Sequence, residues 1–284
     1  MKIKNVIPVC SESLGVRSLA VYVETDDAKI FVDPSAELGM RYSLPPSEEE
    51  YEMLSYFKYK IRELAEKCDV LTISHYHFDH YDPEEDFYSG KKVYAKSIEK
   101  NINKSQHSRG IEFNEIFRNR CDLIYADDTK HKIGNTTIKF SKPFAHGQEG
   151  TSLGFVLMTT IEENFKFLHT SDIGGAVQDS AKDYIISESP DLIVMDGIAS
   201  YFLGFRLSKD AIEKSRKNIN EILDKTNSEI ILDHHLLRDL KYKKYFSEIY
   251  ETGRVKTFAE YNGVENNMLE AKRKELYKKH SSVD

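Results

Sequence analysis

The chain has 284 residues, 40% hydrophobic and 31% charged, with a formal net charge of −7. That is enough apolar material for a sizeable core, no apolar run approaches the roughly 18 residues of a membrane span, and the acidic balance gives no broad invitation to nucleic acid. Cys10, Cys68 and Cys121 are too few and too scattered for a disulfide framework or a zinc knuckle, and MKIKNVIPVC carries no long apolar region or small-residue cleavage site, so a cytoplasmic protein with reduced thiols is expected.

In chain order, NVIPV, LAVYVET and KIFVDPS read as strands, the last two joined by the short turn DDA. PPSEEEYEMLSYFKYKIRELAEKC follows, with Ser47 and Glu50 at capping-box spacing and Met53, Leu54, Phe57, Ile61, Leu64 and Ala65 at helical spacing. The strand DVLTI then delivers the chain to SHYHFDHYDP. Residues 90–110 carry six basic residues against one acid, a pattern that solvated helix faces usually explain. KVYAK, DLIYAD, TTIKFS, GFVLMTTI, FKFLHTS, LIVMDG and EIILDHH read as further strands. Between the last two lies a helix capped by Ser208 with a stripe of Ile212, Ile219, Ile222 and Leu223. RVKTFAEY (254–261) reads as one more strand, and NNMLEAKRKELYKK as a terminal helix. No repeat or linker-like boundary interrupts the chain, so residues 1–284 are expected to form one domain with a helical C-terminal extension from about 265. Hairpins with helices inserted between groups suggest two packed sheets with helices outside.

SHYHFDH places His75, His77, Asp79 and His80 within six positions. At a strand end, residues two apart point the same way. His75 and His77 can therefore reach one metal ion while Tyr76 and Phe78 turn away and pack. If the chain then turns, Asp79 and His80 can face a second ion. Imidazole and carboxylate suit zinc, with manganese or iron as alternatives. Two ions need more ligands, expected at other strand ends on the same rim. The candidates are His146 after TTIKFS, Asp172 after FKFLHT, and His234 or His235 after EIILD.

HYHFDH, then His146, then Asp172 in HTSD, then a histidine at 234 or 235, resembles the metallo-β-lactamase superfamily. Asp33 in KIFVDPS resembles that superfamily's first motif, and ESLGVRSLAVYVET, SHYHFDH and DHHLLRD together resemble an uncharacterised archaeal branch of predicted hydrolases. The resemblance covers roughly residues 15–240. It implies an αββα four-layer sandwich, two mixed β-sheets flanked by helices, with two metals at one edge. It implies His75, His77 and His146 on the first ion, Asp79, His80 and His234 on the second, and Asp172 bridging. His235 is the alternative to His234; since adjacent strand residues face opposite ways, both are not expected on the same ion. Asp33 is implied to stand behind the ligands and hold the HYHFDH turn by hydrogen bonds, and Asp196 in LIVMDG is a candidate for similar support.

Two divalent ions about 3.5–4 Å apart can hold a bridging water and bring its acidity toward neutral pH. The expected reaction is hydrolysis of an ester, thioester, lactone or phosphoester by a metal-bound hydroxide, with Asp79 orienting it or moving its proton and Asp172 shared between the ions. Arg17 in the first hairpin loop and Arg238 after DHH are candidates to hold an anionic substrate. Gly174 and Gly175 are candidate oxyanion donors, and His169 is expected to pack in the core. The alternatives are a nuclease, which would need the 90–110 segment as a basic track to the metals, and a metal-binding protein without catalysis. Oligomeric state is not expressed in the sequence.

Overall fold

The computed structural model describes residues 5–280. Its first half builds a six-stranded sheet from β1 (Asn5–Ser11), β2 (Leu19–Glu24), β3 (Lys29–Val32), β4 (Val70–Ile73), β5 (Lys92–Ala95) and β6 (Asp122–Tyr125), in that spatial order. β1–β3 pair antiparallel and β3–β6 parallel. Helices α1 (Glu48–Glu66) and α2 (Lys104–Phe117) make two of the parallel crossovers.

The second half builds a seven-stranded sheet. Its strands are β7 (Lys130–Ile133), β8 (Thr136–Phe140), β11 (Thr159–Glu162), β12 (Lys166–His169), β13 (Leu192–Asp196), β14 (Glu229–Asp233) and β15 (Val255–Lys256), while β9 (Phe144–Ala145) and β10 (Phe155–Val156) pair separately. β12 to β15 run parallel. The helices of this half are α3 (Asp179–Glu188), α4 (Lys209–Lys225), α5 (Tyr242–Tyr250), the short α6 (Phe258–Tyr261) and α7 (Leu269–His280).

Strand alternation sorts the apolar residues into three layers. On β2, Leu19, Val21 and Val23 enter a core between the sheets with Ile138, Phe140, Phe167, Val194 and Ile231. Ala20 and Tyr22 face the other way, into a core closed by Phe57, Ile61 and Ala65 of α1 and Phe113 and Phe117 of α2. On the far side, Leu168, Ile193, Met195, Ile230 and Leu232 meet Ile185 of α3, Ile212, Ile219 and Ile222 of α4, and Phe246 of α5. The architecture is therefore the αββα sandwich with mixed sheets. The capping box at the start of α1 is present, with Ser47 and Glu50 bonded reciprocally.

Several elements differ from expectation for local reasons. GFVLMTTI does not form one strand. Leu157 N–H donates to Ser74 O and Met158 N–H to Ser141 Oγ, which takes both amides out of the ladder. RVKTFAEY keeps only two strand residues, because Thr257 and Glu260 form a second capping box that starts α6. Helices α3 and α5 arise where no helix is expected, and α2 starts within the basic 90–110 stretch and takes its last third. No helix among the described residues is long and apolar enough to cross a membrane, and all three cysteines are free thiols.

Candidate metal centre

The carboxyl ends of β3, β4, β12, β13 and β14 bring the predicted site residues to one edge. At the end of β3, Asp33 adopts φ +50° and accepts from Ser74 N–H at 2.8 Å, Ser74 Oγ at 2.5 Å and His80 Nδ1 at 2.8 Å. These three bonds, with His80 N–H donating to His77 O, curl SHYHFDH into a turn. Tyr76 turns away from the site as expected and packs edge-on against Tyr81, whereas Phe78, which stacks on Tyr81, is only half-buried and lines the cleft. Helix α2 closes on this turn through Gly110, where a Cβ would lie 2.5 Å from Ile98 and 2.9 Å from the Tyr76 ring.

His146 follows β9 and is buried; Asp172 follows β12 and is buried. Gly147 N–H donates to Asp172 O, tying these two loops together. After β14 the chain turns sharply: His234 adopts φ +55° and opens a 3-10 turn through Arg238. Asp233 stabilises the break, its side chain accepting from His234, Ser13 and Phe258 N–H groups.

The donors converge in two groups around Asp172. His75 Nε2 and His77 Nδ1 face each other at 3.0 Å. Asp172 Oδ2 lies 3.0 Å from His146 Nε2 and 3.7 Å from His75 Nε2. On the other side, His80 Nε2 is 3.2 Å from Asp172 Oδ2 and 3.9 Å from Asp79 Oδ1. His234 Nε2 is 3.5 Å from Asp172 Oδ1 and 3.7 Å from Asp79 Oδ2. Ligands of one tetrahedral zinc, at 2.0–2.1 Å from it, lie about 3.3 Å apart, so these separations fit donors arranged around cations. His75, His77, His146 and Asp172 form one set of mutually close donor atoms, and Asp79, His80 and His234 another.

A second observation fits a cation. His80 Nε2, His146 Nε2, His234 Nε2 and both Asp172 oxygens are buried without a well-formed hydrogen bond among the described residues. Such groups are costly to leave unmade in a protein interior. The ring orientations agree: Nδ1 of His80 faces Asp33 and Nδ1 of His234 faces Glu12, so a cation that displaces the second ring proton would meet an Nε2 lone pair of each in the cluster.

The metal-free electrostatics divide the histidines. Burial, reinforced by neighbouring imidazoles, holds His75 well below its ordinary pKa and His77 at about 3. Burial opposes charge on His80 and His234 as well, but Asp172 and Asp33 hold His80 well above the ordinary value, and Glu12 with Asp172 pushes His234 up to about 10. Burial also opposes charge on Asp172 and Asp79, yet His80 and His234 keep both well below the usual carboxylate range.

Some site residues stand differently from expectation. His234 and His235 both face Asp172, with His235 Nε2 at 3.7 Å. The alternation rule stops at Asp233, because the left-handed turn at His234 swings both rings to one side. His235 Nδ1 lies 3.3 Å from Asp196 Oδ2. Gly174 and Gly175 are not free oxyanion donors: Gly174 N–H donates to both Asp196 oxygens and Gly175 N–H to Asp196 Oδ1. Burial, with Asp172 nearby, raises the Asp196 carboxyl well above its usual range. Arg17 and Arg238 reach the site, but both guanidinium groups are already engaged, Arg17 by Glu270 at 2.6 and 2.9 Å and Arg238 by Glu12 at 2.5 Å. His169 is a core residue bonded to Leu19 O.

Glu12 is the residue that sequence reasoning misses. It is buried, holds His234 Nδ1 at 2.8 Å, and fixes Arg238, whose Nη2 lies 3.4 Å from Asp79 Oδ2. Its partners are 222 and 226 positions away, and nothing in CSESLG signals them.

The sequence is 45% identical over 287 aligned positions to a UPF0282 protein of Methanocaldococcus jannaschii, covering 96% of each chain. It is 41% identical to a UPF0282 protein of Methanopyrus kandleri, covering 96% of this chain and 98% of that one. The chain belongs to the UPF0282 family. No family model matches the sequence. Among solved structures, a possible metal-dependent hydrolase from Veillonella parvula superposes with TM-score 0.54 at 14% identity, covering 85% of this chain and 94% of that one. An isothiocyanate hydrolase from Delia radicum gut bacteria superposes with TM-score 0.55 at 11% identity, covering 89% and 95%. These likenesses give this UPF0282 chain the fold of metallo-hydrolases of the metallo-β-lactamase type.

In front of the ligands the UPF0282 chain opens a cleft of about 990 Å³, lined by His77, Asp79, His146 and His235 on its floor. Of the basic residues in 90–110, only Arg109 lines it. Lys91 caps backbone carbonyls, Lys92 pairs with Asp122, and Lys96 is buried against Asp127. The described residues therefore show no basic track along this segment to the cleft.

Proposed function

We propose that the chain is a metal-dependent hydrolase that holds two divalent cations. His75, His77, His146 and Asp172 would bind the first, and Asp79, His80, His234 and Asp172 the second. The donor set suits zinc, and manganese or iron share it. The observation that carries the reading is the group of buried nitrogen and oxygen atoms of His80, His146, Asp172 and His234 that lack a well-formed hydrogen bond and are all turned to one space. The open cleft in front of them favours catalysis over simple metal storage.

Bound divalent cations supply an acidified water and charge stabilisation for attack on a carbonyl carbon or phosphorus. The chain's own groups would do the rest. Asp79 borders the cleft beside His80 and His234, and Arg238 steadies it, so its carboxylate is placed to orient the attacking water and take its proton. Asp33 and Glu12 fix the imidazoles of His80 and His234 from behind. His235, on the Asp172 side and partly open to the cleft, is the alternative to His234 or an added donor. The substrate class is an ester, thioester, lactone or phosphoester.

Metal analysis of protein purified without chelator should give nearly two ions per chain, and Asp172→Asn should lower occupancy of both sites. A screen of phosphodiesters, thioesters, lactones and RNA, with zinc, manganese and iron each supplied, should show turnover of at least one class. A well-folded protein without metal affinity would overturn the proposal.

A further inference from the structure

Five arginines line the cleft: Arg17, Arg41, Arg109, Arg206 and Arg238. Glu270 and Glu12 engage the first and last. Arg41, Arg109 and Arg206 have no carboxylate partner among the described residues; Arg206 lies over Phe202 and Phe205, while Arg41 and Arg109 are anchored beside the metal-bearing turns. Arg41 donates one Nη2–H to Arg238 O at 3.2 Å and lies over the Tyr201 ring at 4.0 Å and the Tyr42 ring at 4.7 Å. Its Nε is buried and without a hydrogen-bond partner. Arg109 donates Nη1–H to Tyr76 O at 3.2 Å and lies over Phe78 at 4.1 Å.

A guanidinium carries five N–H donors in a flat fork. Each of these two is held in place by one backbone carbonyl and by aromatic stacking, which leaves donors for a ligand. Two carboxylates on the same walls could compete. Glu149 is exposed, and Glu37 lies near enough for its charge to act on Arg109 but makes no ion pair with either guanidinium among the described residues. The rim is apolar as well, with Met40 63% exposed and Leu153 47% exposed at the cleft.

Building on the hydrolase reading, we propose that the substrate carries a second, anionic group away from the bond that is cut, a carboxylate or phosphate received by Arg41 and Arg109. Its apolar body lies against Met40 and Leu153. The anion sets specificity by pairing guanidinium groups that are otherwise unpaired in the cleft, and the metal side receives the reacting group.

The test uses the metal-loaded full chain and benzohydroxamate, a metal-chelating probe with no remote charge, against its 4-carboxy and 4-phosphono derivatives. Calorimetry should show at least one charged derivative binding about tenfold or more tighter than the parent, the scale of a charge-assisted hydrogen bond. Which derivative gains more separates carboxylate from phosphate. Arg41→Met and Arg109→Met should each shrink that ratio toward one with metal content retained. Arg41→Lys, which keeps the charge but not the fork, should restore part of it. Equal affinity of all three probes for the wild type, or a ratio untouched by both Met substitutions, overturns the anionic substrate while leaving the hydrolase reading intact. Failure of every probe to bind the metal-loaded chain overturns both.

Discussion

Glu12→Gln isolates the support behind the second cation. Glu12 lies 3% exposed and uses one carboxylate oxygen for His234 Nδ1 at 2.8 Å and the other for Arg238 Nε at 2.5 Å. Glutamine has one acceptor oxygen, and its amide would present a donor to whichever partner remains. Either the His234 ring loses the bond that fixes its tautomer, or Arg238 loses its counter-ion. Removing such support costs about 10–100-fold in metal affinity. Breaking a buried ion pair on one side costs about 3–5 kcal/mol of stability. A titration against a chromophoric chelator resolves the two binding steps, and urea unfolding of the metal-free protein reads stability. The step assigned to Asp79, His80 and His234 should weaken about 10–100-fold, and the step assigned to His75, His77 and His146 should move less than about threefold. Equal weakening of both steps, or of neither, refutes the division of the ligands into two sets.

Three further outcomes follow from the geometry. Asp33→Asn removes an acceptor from three donors, Ser74 N–H, Ser74 Oγ and His80 Nδ1, and should cost about 3 kcal/mol in urea unfolding together with weaker binding at the same second step. Arg273 is fully buried and bonds both Glu50 oxygens and the carbonyls of Gly39 and Leu44; Arg273→Met should cost about 3–5 kcal/mol, measured the same way. Metal uptake should also depend on pH unevenly. His234, at about 10, and His80, raised well above its ordinary value, carry protons at pH 7 in the metal-free chain, so a cation there displaces them. Affinity of that step should rise with pH by up to about tenfold per unit for each proton released. His75 and His77 are held low and neutral, so these two release no protons to a cation near neutral pH, and the first step should rise with pH less steeply than the second; parallel slopes for the two steps would contradict this.

What could be read from the sequence depended on how far each constraint reaches along the chain. The HYHFDH turn was legible because four donors crowd within six positions around Tyr76, which the structure buries, and Phe78, which it half-buries. His146 and Asp172 were legible because each follows an apolar strand, and their convergence depends on strand order. The joint presence of His234 and His235 was not, because it comes from a left-handed turn that ends the alternation at Asp233. Helix α2 hides for a related reason: its buried positions are Gln106, Gly110, Phe113 and Phe117, ideally spaced but half of them not apolar. Glycine at 110 is needed for the close approach to Tyr76 and Ile98, and glutamine at 106 donates to Leu153 O. Glu12 could not be found from any local pattern.

The wall of the cleft also has a history in time. Arg17 is held by Glu270, 253 positions later, and the loop carrying Arg41 is braced from α7, through Arg273 on Gly39 and Leu44 and Ala271 O on Tyr42. During synthesis at about 5–20 residues per second, the ligands from His75 to His235 leave the ribosome before α7 does. A nascent chain can therefore bring these donor residues together while this wall of the cleft is still open, and the wall closes only when the late helix docks.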